Sequence, residues 1–281
     1  MSKATKIWLI IAASLVLLGI IIFTVVMTVL KWDFRKLSTV KYETNTYTVT
    51  EDFNDISINT NTADIVFLPS DDGTFKIVAH EDSKEKHSVS VNNGTLTVEP
   101  VSTKKWYDYI SIGIGAPKLT VYLPENEYGA LKIKLSTGNL EIAKNYKFES
   151  IDITVTTGDI NLKNVSAGSI EIKVSTGDTA LTDVTAGSFK STGGTGDINL
   201  SGVTVSGKLS IERSTGDVEF NKCDAAEILV VTDTGDVEGS LLSEKIFFTK
   251  TDTGKISVPK TTSGGKCDIT TDTGNIKITI D

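Results

Sequence analysis

The chain has 281 residues, with 28 lysines and arginines against 36 aspartates and glutamates, for a net charge of −8. That balance argues against a nucleic-acid partner, because phosphates demand a basic face. Two histidines, His80 and His87, and two cysteines, Cys223 and Cys267, are too few and too dispersed to read as a zinc site.

Residues 7–30 carry no charge and are almost wholly apolar, long enough in helical rise to cross a hydrocarbon core of roughly 30 Å. A cleaved signal peptide has a shorter apolar stretch of about 7–15 residues, closed by a small-residue site. Here Trp32 and Phe34 stand where that site would be, and no cysteine offers a lipid anchor. The stretch reads as one transmembrane helix, with residues 1–6 as an inner tail and 31–37 as a juxtamembrane segment. Basic residues flank both ends, so charge alone does not orient it. The short tail and the export-like bulk place the N-terminus inside and the body extracytoplasmic, at the cell membrane.

Residues 38–130 hold strand-like runs, among them Asp64–Leu68, Phe75–Ala79 and Leu119–Leu123, separated by turn signals. Asn92-Asn93-Gly94 between alternating runs reads as a hairpin. Asn61-Thr62-Ala63-Asp64 echoes a turn that recurs later in the chain. This half is expected to be a β-rich cap with degenerate coils, forming one domain (38–281) together with residues 131–281.

From residue 131 to 281 the chain repeats. Thr-Gly-Asp/Asn/Lys occurs with glycines at Gly138, Gly158, Gly177, Gly196, Gly216, Gly235, Gly254 and Gly274, spaced by 19 or 20 residues. Seven residues before each glycine stand Leu131, Ile151, Ile170, Phe189, Leu209, Ile228, Phe247 and Cys267. Two residues after come Leu140, Ile160, Thr179, Ile198, Val218, Val237, Ile256 and Ile276. Apolar and polar positions alternate on both sides of the turn, which means strand. Units this small bury a core only by stacking on one another. The fold class is therefore all-β, a single-stranded parallel β-helix (solenoid) of 19–20-residue coils behind one N-terminal transmembrane helix. Leucine-rich repeats of similar length need a different leucine frame.

Stacking aligns the residue after each glycine, so Asp159, Asp178, Asp197, Asp217 and Asp236 form a carboxylate file. These are calcium candidates, with solvated turn caps as the simpler reading, and no cofactor is expected. The cysteines occupy different apolar columns about two coils, or roughly 10 Å, apart, too far for a disulfide. Lys104-Lys105-Trp106-Tyr107-Asp108-Tyr109 is the one aromatic cluster of the outer domain. Trp106, Tyr107 and Tyr109 suit a ligand or membrane-surface contact, or else packing of the cap on the first coils. The histidines read as solvated strand-end residues. Arg213 falls in an inward column with Val155 and Val174, between Gly193 and Thr232, where an unpaired charge is costly. Ile276, Ile278 and Ile280 lie in the last strand, read as an uncovered tip that invites tip-to-tip self-association or a partner strand.

Thr156-Thr157-Gly158-Asp159-Ile160, Ser175-Thr176-Gly177-Asp178 and Ser214-Thr215-Gly216-Asp217-Val218, behind one membrane segment, resemble the bacterial DUF4097 family over about residues 40–281. The resemblance implies a β-helical envelope domain with an adhesin label, related in some members to envelope-stress systems, and offers no catalytic motif. The expected function is a membrane-anchored structural or interaction surface for a protein or cell-wall glycan partner. An envelope-stress sensor is the alternative, and a polysaccharide-acting enzyme is disfavoured by the lack of a convergent site.

Overall fold

A computed structural model describes residues 2–110, 113 and 115–281. The chain divides into two compact units, Met1–Tyr42 with Thr103–Ala116, and Glu43–Ser102 with Pro117–Asp281.

The first unit holds helix α1, Lys3–Val29, whose 27 residues are capped by the Ser2 hydroxyl on the Thr5 amide. Its apolar side chains are almost all exposed, as a surrounding hydrocarbon would allow. The helix ends where Lys31 and Trp32 turn left-handed (φ 54° and 57°), which returns the Trp32 amide to the Met27 carbonyl at 2.8 Å. Residues 103–116 reach this unit through Gly113 and Gly115, which lie against Tyr42 at distances that leave no space for a Cβ.

The second unit is the solenoid, and its strands pair in parallel with the register that the repeat dictates. Ile151 aligns with Ile170, Ile170 with Phe189, Phe189 with Leu209, and Leu209 with Ile228. The glycine at each corner is required by backbone geometry. Gly177 has φ +140°, and a Cβ there would drive into the carbonyl oxygen of Gly158 in the coil beneath.

The base is closed by antiparallel strands. Glu85–Asn92 pairs with Thr95–Ser102 across the expected hairpin, where Asn93 and Gly94 both take positive φ. Phe75–Asp82 runs antiparallel to Lys118–Leu123. The first complete coil is built from Asp55–Thr62 and Asp64–Pro69, with Ala63 at the position of the corner glycine. It lies between Thr95–Ser102 with Lys118–Leu123 on one side and Glu127–Thr137 with Leu140–Thr157 on the other.

At the far end the order of coils departs from the order of the chain. Gly265–Thr273 pairs with the strand carrying Ile228 on one side and with Lys245–Thr253 on the other. Ile276 likewise sits between Val237 and Ile256. The chain runs out through residues 245–258, turns at 259–264, and returns to slide its last coil underneath. The expectation that Ile276, Ile278 and Ile280 form an uncovered tip is therefore corrected, for Ile276 and Ile278 are buried and Ile280 partly so. The tip is the Gly254 coil, Lys245–Thr253 with Ile256–Ser257. Stacking units with interchangeable columns accept either order, so periodicity alone does not fix which coil is last.

Candidate interaction surfaces

The carboxylate file has a specific structural role. The Asp178 amide donates to Asp159 Oδ1 at 2.9 Å, Asp197 to Asp178, Asp217 to Asp197 and Asp236 to Asp217 at 2.8 Å each. The ladder starts at Asp64, which accepts from the Asn139 amide, and Asn139 in turn accepts from Asp159. It ends with Asn275 on Asp236 and Lys255 on Asn275. Each acidic side chain thus ties its corner to the next coil outward. Among the described residues no group of three or more His, Cys, Asp or Glu side chains is placed to hold a metal ion.

Trp106, Tyr107 and Tyr109 are exposed, Trp106 by 76 %, so they do not pack as core. They sit on a short 3-10 turn, Trp106–Tyr109, in which the Asp108 carboxylate accepts from the Lys105 amide. Trp106 meets Tyr107 edge-on at 5.8 Å, while the Lys104 and Lys105 ammonium groups each stand 5.9 Å from a tyrosine ring centre.

The tip coil presents Ile246, Phe248 and Ile256 to solvent. Phe248 points sideways under the Lys266 ammonium, 5.4 Å from its ring centre. Ile256 is 45 % exposed, whereas its column mates Val237 and Ile276 are wholly covered. At the start of the tip coil, Lys245 is buried with its ammonium 2.6 Å from Asp224 Oδ1, an acceptor shared with the Ser243 hydroxyl. Burial raises the Asp224 pKa, but the hydrogen bonds from Lys245 and Ser243 outweigh it and hold the carboxyl below its usual value.

A shallow groove runs along the third side of the solenoid over small residues. One stretch of about 430 Å³ is lined by Phe148, Ala167 and Ala186, and the next, about 540 Å³, by Ala225, Ser243 and Gly265; they meet at Thr204 and Ser206.

One interior cluster differs from its sequence reading. His87 is buried rather than solvated, with Nδ1 2.6 Å from Glu81 Oε2 and Nε2 2.9 Å from the Thr60 hydroxyl. Tyr47 and Asn45 donate to the other Glu81 oxygen. The order carboxylate, imidazole, hydroxyl is that of a hydrolase triad, but Thr60 is buried and no substrate carbonyl can reach it. The alternation of Phe75, Ile77, Ala79 and Glu81 on one strand face was the available signal. Arg213 lies inside the solenoid as the column predicts. It donates to Ser191 at 3.0 Å and Thr179 at 3.2 Å, while its Nε and Nη1 and the Thr232 hydroxyl find no protein partner. Both cysteines are free and buried, and burial pushes the Cys267 thiol up to about 12.

A family model described as Toastrack DUF4097 matches residues 53–281. No curated protein matches the chain. Among solved structures, a protein from Bacteroides fragilis provisionally named an adhesin is similar with a TM-score of 0.58 at 17 % identity, over 85 % of this chain and 97 % of its own. One from Parabacteroides distasonis, provisionally named a lipid binding protein, has a TM-score of 0.49 at 16 % identity, over 86 % and 98 %. At such identities the likeness concerns the fold.

Proposed function

This chain belongs to the Toastrack DUF4097 family, and from that premise we propose that it is a single-span envelope protein whose solenoid is displayed outside the cell to bind a protein or glycan partner. The carrying observation is the make-up of the first unit. It joins a helix with an 18-residue stretch of mean hydropathy 3.0, none of that stretch covered, to the exposed Trp106–Tyr109 turn and its lysines. Tryptophan and tyrosine with lysine settle at headgroup level, where the ring is half-buried and the ammonium reaches water. A loop of this kind within the same unit as the helix suits a bilayer surface.

Display is the remaining part of the reading. The solenoid offers an exposed apolar tip and a long lateral groove, and the Glu81–His87–Thr60 arrangement is sealed. The names carried by similar structures fit a surface role and go no further.

The test keeps Trp106 as sole tryptophan by Trp8→Phe and Trp32→Phe, and places the chain in nanodiscs. Brominated lipids should quench Trp106 emission, and in cells the protein should resist alkaline extraction while external protease digests the solenoid. Release by alkali, or a solenoid protected in intact cells, overturns the reading.

A further inference from the structure

The partner chemistry at the tip can be taken further. It refines the display reading above but does not depend on how the chain is anchored. We propose that the Gly254 coil accepts an extended acidic segment of another protein, which adds to the parallel sheet as one more coil.

The backbone supplies the first argument. In each inner coil the corner glycine and the residue two beyond it donate outward. Gly235 donates to Thr273 and Val237 to Asn275, at 2.9 and 2.8 Å; Gly274 donates to Thr253 and Ile276 to Lys255, at 3.0 and 2.8 Å. The same geometry aims the Gly254 and Ile256 amides outward, and among the described residues their strands pair only on the inner side. An unpaired strand edge is a template for strand addition. The exposed Ile256 and the half-covered Phe247 and Val258 end their core columns with no polar coil above them.

Charge selects the occupant. In a chain of net charge −8, residues 245–260 carry four lysines, of which Lys245 pairs with Asp224 and Lys250 with Asp252. Lys255 stands at the ladder position that every inner coil of the repeat fills with Asp or Asn, and so ends the ladder with a donor instead of an acceptor. Lys255 and Lys260 have no ion-pair partner among the described residues. A second copy meeting tip to tip would set Lys255 near its own equivalent, whereas an incoming strand with a carboxylate at its corner complements it.

The probe is a labelled synthetic peptide with the sequence of residues 226–241, which carries Glu227, Asp233, Asp236 and Glu238 on a strand-turn-strand pattern. The full chain in detergent micelles is titrated and anisotropy is read. Binding should saturate, weaken with salt, and fall about tenfold or more for Lys255→Glu and for a peptide with its acids changed to amides. Amide exchange in the unmodified chain should slow at Gly254 and Ile256 when the peptide is bound. No binding, equal binding by the amide peptide or by a folded Lys255→Glu variant, or exchange unchanged at those two amides overturns the proposal. Self-association of the chain through the tip without peptide overturns it in favour of a second copy. Membrane extraction and Trp106 quenching are separate readouts, so failure here and failure of anchoring are distinguishable.

Discussion

The Asn275 amide donates to Asp236 Oδ1 at 2.7 Å although 39 residues separate them. From Asn139 to Asp236 each rung of the same ladder spans 19 or 20 residues. The doubled interval is the tip coil, which leaves the stack and is underlaid by the next segment of the chain. Cysteine pairs test this order. Glu238 and Lys277 are register neighbours with exposed side chains, within the Cα reach of a disulfide. Glu238 and Ser257 lie about two coils, or roughly 10 Å, apart. With Cys223 and Cys267 changed to serine, Glu238→Cys with Lys277→Cys should crosslink on oxidation and Glu238→Cys with Ser257→Cys should not. The reverse result would restore chain order at the tip.

The ladder predicts an asymmetry between two small substitutions. Asp197 accepts one amide bond from Asp217 and carries a charge in a file of five carboxylates about 4.8 Å apart. Asp197→Asn keeps the acceptor and relieves repulsion, so its denaturation midpoint should equal or exceed that of the unmodified protein. Asp197→Ala removes the acceptor and should cost about 1 kcal/mol in urea unfolding. If the two variants are equally destabilised, the carboxylate charge rather than the hydrogen bond supports the corner.

Legibility divides along the same physical line. The period of 19 or 20 and its alternating columns determine strand, parallel pairing and core, because a coil buries its face only against its equivalents. The place of the Gly254 coil was not legible from columns that either stacking order satisfies. Lys255 was the hint, since the outermost coil is the one with no further amide to accept. Alternation turns Glu81 inward, but its partner His87, like the partner of Asp224 at Lys245, lies on another strand and no local pattern names it. Exposure of Trp106 rather than burial depended on residues 103–116 leaving the solenoid for the other unit.

Arg213 should be a source of instability. Its guanidinium is buried without a carboxylate, two of its nitrogens lack protein partners, and burial lowers its pKa. Asp178 opposes that shift only through its distant charge. Arg213→Met fills similar space with no charge and should raise stability in urea by about 1–3 kcal/mol, with an unchanged m-value. A loss of stability would show that unseen water or an anion satisfies the guanidinium.

Glu81 makes the opposite prediction. Its two oxygens accept from Asn45, Tyr47 and both the backbone and ring of His87. Burial, followed by the bond to Glu81, raises the Tyr47 phenol. Glu81→Ala strands the buried His87 donors, at about 1–3 kcal/mol each, and frees the half-buried Asn45 and Tyr47. The cap should then open, bringing Tyr47 titration down toward that of a free phenol. A variant whose Tyr47 absorbance still titrates as in the unmodified protein would show that burial alone sets it.

The Lys245–Asp224 pair makes tip stability depend on acid. Asp224 is held below its ordinary pKa of 3.8, as hydrogen bonds from Lys245 and Ser243 outweigh the raising effect of burial. A carboxyl with a depressed folded pKa contributes stability above its unfolded value and loses it as pH falls through the folded one. The tip should therefore be indifferent to pH from neutrality to about 4 and loosen below 3.8. Cys267 reports this, being wholly buried one coil beneath Lys245–Thr253. In a Cys223→Ala background, a dithiodipyridine that reacts at acid pH should label it slowly at pH 5 and faster as pH drops below that value. Asp224→Asn leaves a nearly buried ammonium without its counter-charge and should label faster even at neutral pH, by an amount equivalent to about 1–3 kcal/mol of local opening. Lys245→Met removes the charge and keeps the stem, so it should label slowly throughout and show no acid step. An acid step that survives in Asp224→Asn assigns the titration to another carboxylate and removes this pair as the cause.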